Sequence, residues 1–316
     1  MVTVVSDTPP AVEALVDGEI GIQERAAPEP VIWRDYLALT KPRVMSLLVL
    51  TAVCALVAAA GGAPSVTHLL ALTVGGCLAC GGASAFNHVL DRDIDRLMGA
   101  RTAGRPVAAG RIQPRDAVLF AVSLCLLSFG LMYAFDNLLA AALAAAGGAF
   151  YVVVYTLGLK RRTSSNIVIG GAAGAFPALS GWAAAHGSLG AGAWYLFAIV
   201  LVWTPPHFWS LAMLLQRQYA DADIPMLPVV KGDRHTALQV IVYSLALMAL
   251  TLLPGLAGVF GTFYLVSAVL VGGVFCAFAW RLWRQPDRER AAHLFHFSLL
   301  YLALLFAAVA VDAVIR

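Results

Sequence analysis

Apolar residues in this chain fall into runs of about 20, the length that crosses a bilayer as a helix, separated by short polar segments. Nine runs are legible, at roughly 44–62, 66–90, 116–135, 138–157, 166–185, 193–215, 237–259, 262–282 and 294–314. The pattern predicts an all-α polytopic membrane bundle of nine transmembrane helices over residues 33–316. Clusters of small residues, Gly75, Gly76, Gly81 and Gly82 in one run and Gly170, Gly171 and Gly174 in another, predict close helix–helix approach. Pro177 predicts a kink in the fifth run, and Pro205 with Pro206 a break in the sixth.

Residues 1–32 hold no run long enough to insert. They carry six acids (Asp7, Glu13, Asp17, Glu19, Glu24, Glu29) against Arg25 and several prolines, which predicts a disordered acidic tail. The tail lacks the basic start and apolar core of a secretory signal. Trp33, Arg34, Tyr36, Lys41 and Arg43 then form a basic, interfacial entry to the first span.

Composition agrees: 60% of the 316 residues are hydrophobic and 12% charged, with a mean hydropathy of +0.81, outside the range of soluble domains. Cys77 and Cys80 make a C-x-x-C, but it lies inside a span without a second pair, so it reads as buried small residues. Charge placement says more than net charge. Of the 21 Lys and Arg residues, all but Arg316 fall before the first span or in every second connection after it. Under the positive-inside rule this parity supports nine spans, with the N-terminus cytoplasmic and the C-terminus outside a cell's inner (plasma) membrane. Every polar cluster able to do chemistry then lies at the cytoplasmic rim.

The richest cluster is residues 87–115. Asn87, Asp91 and Asp95 recur every four residues, so on a continuing helix they share a face over roughly 12 Å, while Asp93 points elsewhere. Two carboxylates beside an amide suit Mg²⁺, which favours one or two carboxylates plus phosphate oxygens. Six nearby arginines (Arg92, Arg96, Arg101, Arg105, Arg111, Arg115) would meet the remaining phosphate charge. The same residues also read as a solvated helix end with weak surface pairs. A second cluster, residues 203–231, places His207 inside the membrane beside the prolines, and Arg217, Tyr219, Asp221 and Asp223 at the rim. His207 reads either as a polar-substrate contact or as a histidine bonded to a neighbouring helix. The third cluster, Lys160-Arg161-Arg162-Thr163-Ser164-Ser165-Asn166, serves as topogenic charge and equally as an anion site. Tyr151, Tyr155 and Trp203 read as core or belt aromatics.

Taken together, Asn87-x-x-x-Asp91-x-x-x-Asp95 with Arg96, Arg101-Thr102 and Arg105-Pro106 resembles the first aspartate-rich motif of the UbiA superfamily of intramembrane prenyltransferases. The runs 159–177, Pro206-His207-Phe208 and 224–230 resemble its haem-prenylating branch. The resemblance implies helices around a central cavity and transfer of farnesyl from farnesyl diphosphate to a vinyl group of haem B, with water addition, giving haem O. It implies that Asn87, Asp91 and Asp95 are catalytic, with Asp91 and Asp95 holding Mg²⁺. Arg96, Arg101, Arg105, Lys160 and Arg161 would then contact diphosphate, and His207 haem. The superfamily's second motif, D-x-x-x-D, falls here on Gln218 and Ala222, with Tyr219, Asp221 and Asp223 as the shifted acidic region. Membrane lipid, and a haem A synthase or terminal oxidase assembly, are the implied partners, and no nucleic acid is expected. The competing readings are a UbiA-type enzyme for another aromatic or tetrapyrrole acceptor, and a haem-binding transporter or scaffold.

Overall fold

The computed structural model describes residues 32–316, so apart from Ile32 the predicted acidic tail lies outside the described residues. A short amphipathic helix, α1 (Ile32–Leu39), precedes the first span, α2 (Pro42–Ala60). The second span, α3 (Val66–Leu90), leads into two short helices, α4 (Arg92–Leu97) and α5 (Ala100–Ala103), and then α6 (Pro114–Phe135). α7 (Leu138–Ala149) continues as a π-helical run, Phe150–Leu159. α8 (Asn166–Gly170) and α9 (Ala172–His186) make the fifth span, and α10 (Ala191–Leu214) the sixth. After α11 (Gln216–Asp221) come α12 (Leu227–Leu256), α13 (Thr262–Arg284) and α14 (Arg288–Ile315). Among the described residues nine helical spans are long and apolar enough to cross a membrane.

Local chemistry sets these ends. Pro42 opens α2, Ser65 Oγ accepts the His68 amide at the start of α3, and Asp287 Oδ1 accepts the Arg290 amide at the start of α14. Each span packs against the next in sequence and α14 packs against α2, closing the nine into a ring. Antiparallel neighbours then put α4, α5, α11 and the end of the π run at one rim.

Some helix boundaries differ from the sequence expectation. A single turn residue, Gly171, with helical angles φ −56° and ψ −25°, separates α8 from α9, and Pro177 lies inside α9. α10 remains helical through Pro205 and Pro206; Thr204 and Ser210 hydroxyls bond the carbonyls of Val200 and Pro206 on either side. α12 opens at Leu227 with Pro228 in its first turn, and Gly232, at φ 77°, separates that turn from the long helix that carries the seventh span.

Small residues do allow close packing. A Cβ built on Gly181 of α9 would lie 2.0 Å from the Ala52 carbonyl oxygen of α2, and one on Gly82 of α3 would lie 2.6 Å from Cys125 Sγ of α6. Backbone cannot yield as a side-chain tip can. Gly181→Leu is therefore expected to cost about 3 kcal/mol, the upper end of overpacking effects, seen as a lower unfolding temperature in detergent; an unshifted transition would contradict this contact.

Candidate active site

The polar column forms where α3 ends. Asp91 caps that helix at φ −94°, ψ 7°, yet the Asp91 amide bonds Asn87 O at 2.9 Å and the Asp95 amide bonds Asp91 O at 2.8 Å. The i→i−4 ladder thus carries into α4, and Asn87, Asp91 and Asp95 stay in register. They are 3%, 0% and 1% exposed. Buried charges persist only when paired, and both acids have a cationic partner.

Lys160 Nζ lies 2.5 Å from Asp91 Oδ2, which also accepts from Asn87 Nδ2 at 2.6 Å. Arg105 Nη1 donates to Asp95 Oδ1 at 2.6 Å. Lys41 Nζ donates to Asn87 Oδ1 at 2.8 Å. Asp91 Oδ1 and Asp95 Oδ2 are buried and have no hydrogen-bond partner among the described residues. Each acid therefore spends one oxygen on a cation and keeps the other for something else. Burial raises the Asp95 carboxyl pKa, with the Arg105 bond opposing it.

Asp93 is exposed and held by both terminal nitrogens of Arg161 at 2.7 Å, which pushes its pKa down to about 2. The same guanidinium reaches to 4.0 Å from Asp91 Oδ1. Arg96 turns to the loop, Nε donating to Ala108 O at 2.9 Å. Arg111 braces that loop through Asp35 and Gly104 O, at 2.9–3.1 Å. Between them they hold the segment carrying Arg105. The Arg101 side chain is outside the described residues. Tyr219 is buried, its phenol pushed up to about 12 by burial and close enough to Arg105 and Asp91 to feel their charge. Asp221 and Asp223 are exposed, Asp223 with φ 52°, and neither pairs with the buried column. His207 lies deeper, in α10.

Sequence reading missed two features. Lys41 looked like a membrane flank, but its left-handed backbone, φ 50°, and the following Pro42 accompany a side chain bonded to Asn87. The π-helical turn was also missed: the Lys160 amide bonds Tyr155 O, five residues back, and Thr156 Oγ1 reaches Tyr151 O while Asn87 Nδ2 reaches Thr156 Oγ1 at 3.3 Å.

Burial, then Arg105 and Lys160, lowers the Lys41 ammonium to about 7. A lysine so lowered is charged below that value and neutral above it, so its pull on an anion is present below pH 7 and fades as pH rises through 7. Affinity for a diphosphate is expected to fall between about pH 6 and about pH 8, and Lys41→Met to flatten that slope. Equal slopes in binding curves of the two proteins would contradict it.

No group of three or more His, Cys, Asp or Glu side chains converges among the described residues. Two carboxylates with one uncommitted oxygen each supply part of a Mg²⁺ shell, the part that this ion takes from protein when phosphate and water supply the rest. The donor set fits that ion.

A model of the UbiA prenyltransferase family matches residues 48–306. A protein of Thermus thermophilus called protoheme IX farnesyltransferase is 51% identical over 280 residues, 89% of this chain and 46% of its own. One of that name from Gloeobacter violaceus is 48% identical over 293 residues, 92% of this chain and 96% of its own. The chain spans about half the length of the Thermus relative. A digeranylgeranylglyceryl phosphate synthase structure superposes with TM-score 0.74 at 19% identity, covering 90% of this chain and 99% of that one. A UbiA homolog from Archaeoglobus fulgidus bound to DMAPP and Mg²⁺ gives 0.59 at 16%, covering 88% and 99%. These two share the fold.

Proposed function

The chain belongs to the UbiA prenyltransferase family, and on that premise we propose that it transfers the farnesyl group of farnesyl diphosphate to a vinyl group of haem B, with water addition, giving haem O. The observation that carries the reading is the pair of uncommitted, buried oxygens on Asp91 and Asp95, set among Lys41, Arg105, Lys160 and Arg161. The names of the relatives supply the acceptor.

Asp91 and Asp95 would hold Mg²⁺, which would offset negative charge on the leaving diphosphate. Lys41, Arg105, Lys160 and Arg161 would orient the diphosphate oxygens by charge-assisted hydrogen bonds. Arg96 would act through the loop it braces, by positioning Arg105. The bond from farnesyl C1 to oxygen would break with its electron pair on diphosphate, and C1 would bond to one carbon of the vinyl group. An aromatic face turned to the prenyl cation, such as that of Tyr151, which stacks on Tyr155 at 5.7 Å, would contribute about 0.5–2 kcal/mol. Water then adds to the other vinyl carbon and releases a proton.

The chain is a polytopic membrane protein. The basic rim that carries this site would face the cytoplasm of the inner membrane, with the C-terminus outside, and residues 33–316 would form one prenyltransferase domain. A haem A synthase or terminal oxidase assembly would take the product. The test incubates membranes with farnesyl diphosphate, Mg²⁺ and either haem B or a hydroxybenzoate. Haem O from the first mixture alone is expected, and prenylated benzoate without haem O would overturn the choice of acceptor.

A further inference from the structure

We propose that Nε2 of His207 is an axial ligand to the iron of the acceptor porphyrin, an inference that rests on the haem reading above. The argument starts from Ser298 of α14. Its Oγ lies 2.6 Å from Phe295 O and 2.6 Å from His207 Nδ1. A serine hydroxyl has one proton. Two oxygens at 2.6 Å without a proton between them repel, so that proton lies on the bond to Phe295 O. Ser298 Oγ can then only accept from the imidazole, and Nδ1 carries the ring's hydrogen. The neutral ring therefore has its lone pair on Nε2.

The ring is held as firmly as its tautomer. It stacks on Trp203 at 4.3 Å and 14°, and on Phe295 at 5.0 Å and 24°. Trp203 Nε1 donates to Ser298 O at 2.9 Å, which fixes the Trp203 side of the stack to the same residue. Nε2 has no partner among the described residues, and it is not among the buried atoms closed off without one. An imidazole with Nδ1–H bonded to an oxygen, its plane clamped and Nε2 open, is the arrangement a metal-binding histidine needs. His207 lies seven residues before the end of α10 at Leu214, about 10 Å below the rim. A porphyrin ligated there sits on the membrane side of the acids, where its apolar face is buried. Ligation donates the Nε2 lone pair to iron and releases no proton.

The test uses the full chain in detergent and two probes, iron protoporphyrin IX and metal-free protoporphyrin IX. His207→Ala is expected to lose the imidazole-type Soret band and to weaken iron porphyrin binding by about a hundredfold, with the metal-free porphyrin nearly unaffected and added imidazole restoring the band. Ser298→Ala keeps the ligand but removes the acceptor of Nδ1–H, so the band remains, affinity falls by about tenfold and the ferrous iron–imidazole stretch moves to lower frequency. An unchanged spectrum in His207→Ala, or equal loss of both porphyrins, would overturn the ligation. If wild-type protein makes haem O while either result is found, ligation alone falls; if wild-type protein binds neither porphyrin, the acceptor reading falls with it.

Discussion

Asp91→Asn is expected to slow diphosphate release from farnesyl diphosphate by about a thousandfold per folded molecule, with some loss of stability because the near-buried Lys160 loses its charge partner. Asparagine keeps the volume and one acceptor oxygen for Lys160 and Asn87 but removes the charge that a divalent ion needs. Asp95→Asn is expected to behave alike, since its Oδ2 is the other uncommitted oxygen. Asp93→Ala serves as the control: its carboxylate is exposed and tied to Arg161, so the loss should stay under about fivefold. Release measured on purified protein decides it, and full activity in both Asn variants would refute the metal-holding role.

The second large effect is on Lys160→Met. Its ammonium is close to fully buried against Asp91, and removing it leaves a buried carboxylate without its main cation. Breaking such a pair costs about 3–5 kcal/mol, so the substrate-free protein should unfold at a markedly lower temperature and turnover should collapse. The double variant Lys160→Met/Asp91→Asn should be more stable than Lys160→Met alone, because the stranded charge has gone. Additive losses would mean that the 2.5 Å contact contributes little.

Spans and the first acidic motif were legible because both are periodic: apolar runs match the bilayer, and Asn87, Asp91 and Asp95 follow the helix repeat. What the sequence hid depends on contacts between distant segments or on backbone angles. Lys41 meets Asn87 across 46 residues, and Lys160 meets Asp91 across 69. A lysine ahead of the first span looks the same whether it faces headgroups or turns inward. The π-helical run Phe150–Leu159 changes register without changing the apolar pattern, so nothing in its composition marks it. Gly232, at φ 77°, marks where α12 bends because it takes a backbone shape other residues resist, while α10 stays helical through Pro205 and Pro206. Arg96 and Arg105 looked equivalent in the motif; only the folded loop separates the brace from the partner of Asp95.

Calorimetric titration of Mg²⁺ into the protein loaded with an unreactive farnesyl thiodiphosphate addresses the metal-holding pair without relying on turnover. A saturable binding heat in the wild type that disappears in both Asp91→Asn and Asp95→Asn is the expected result. An unchanged heat in either variant would contradict the assignment of the two acids as the ion's protein ligands.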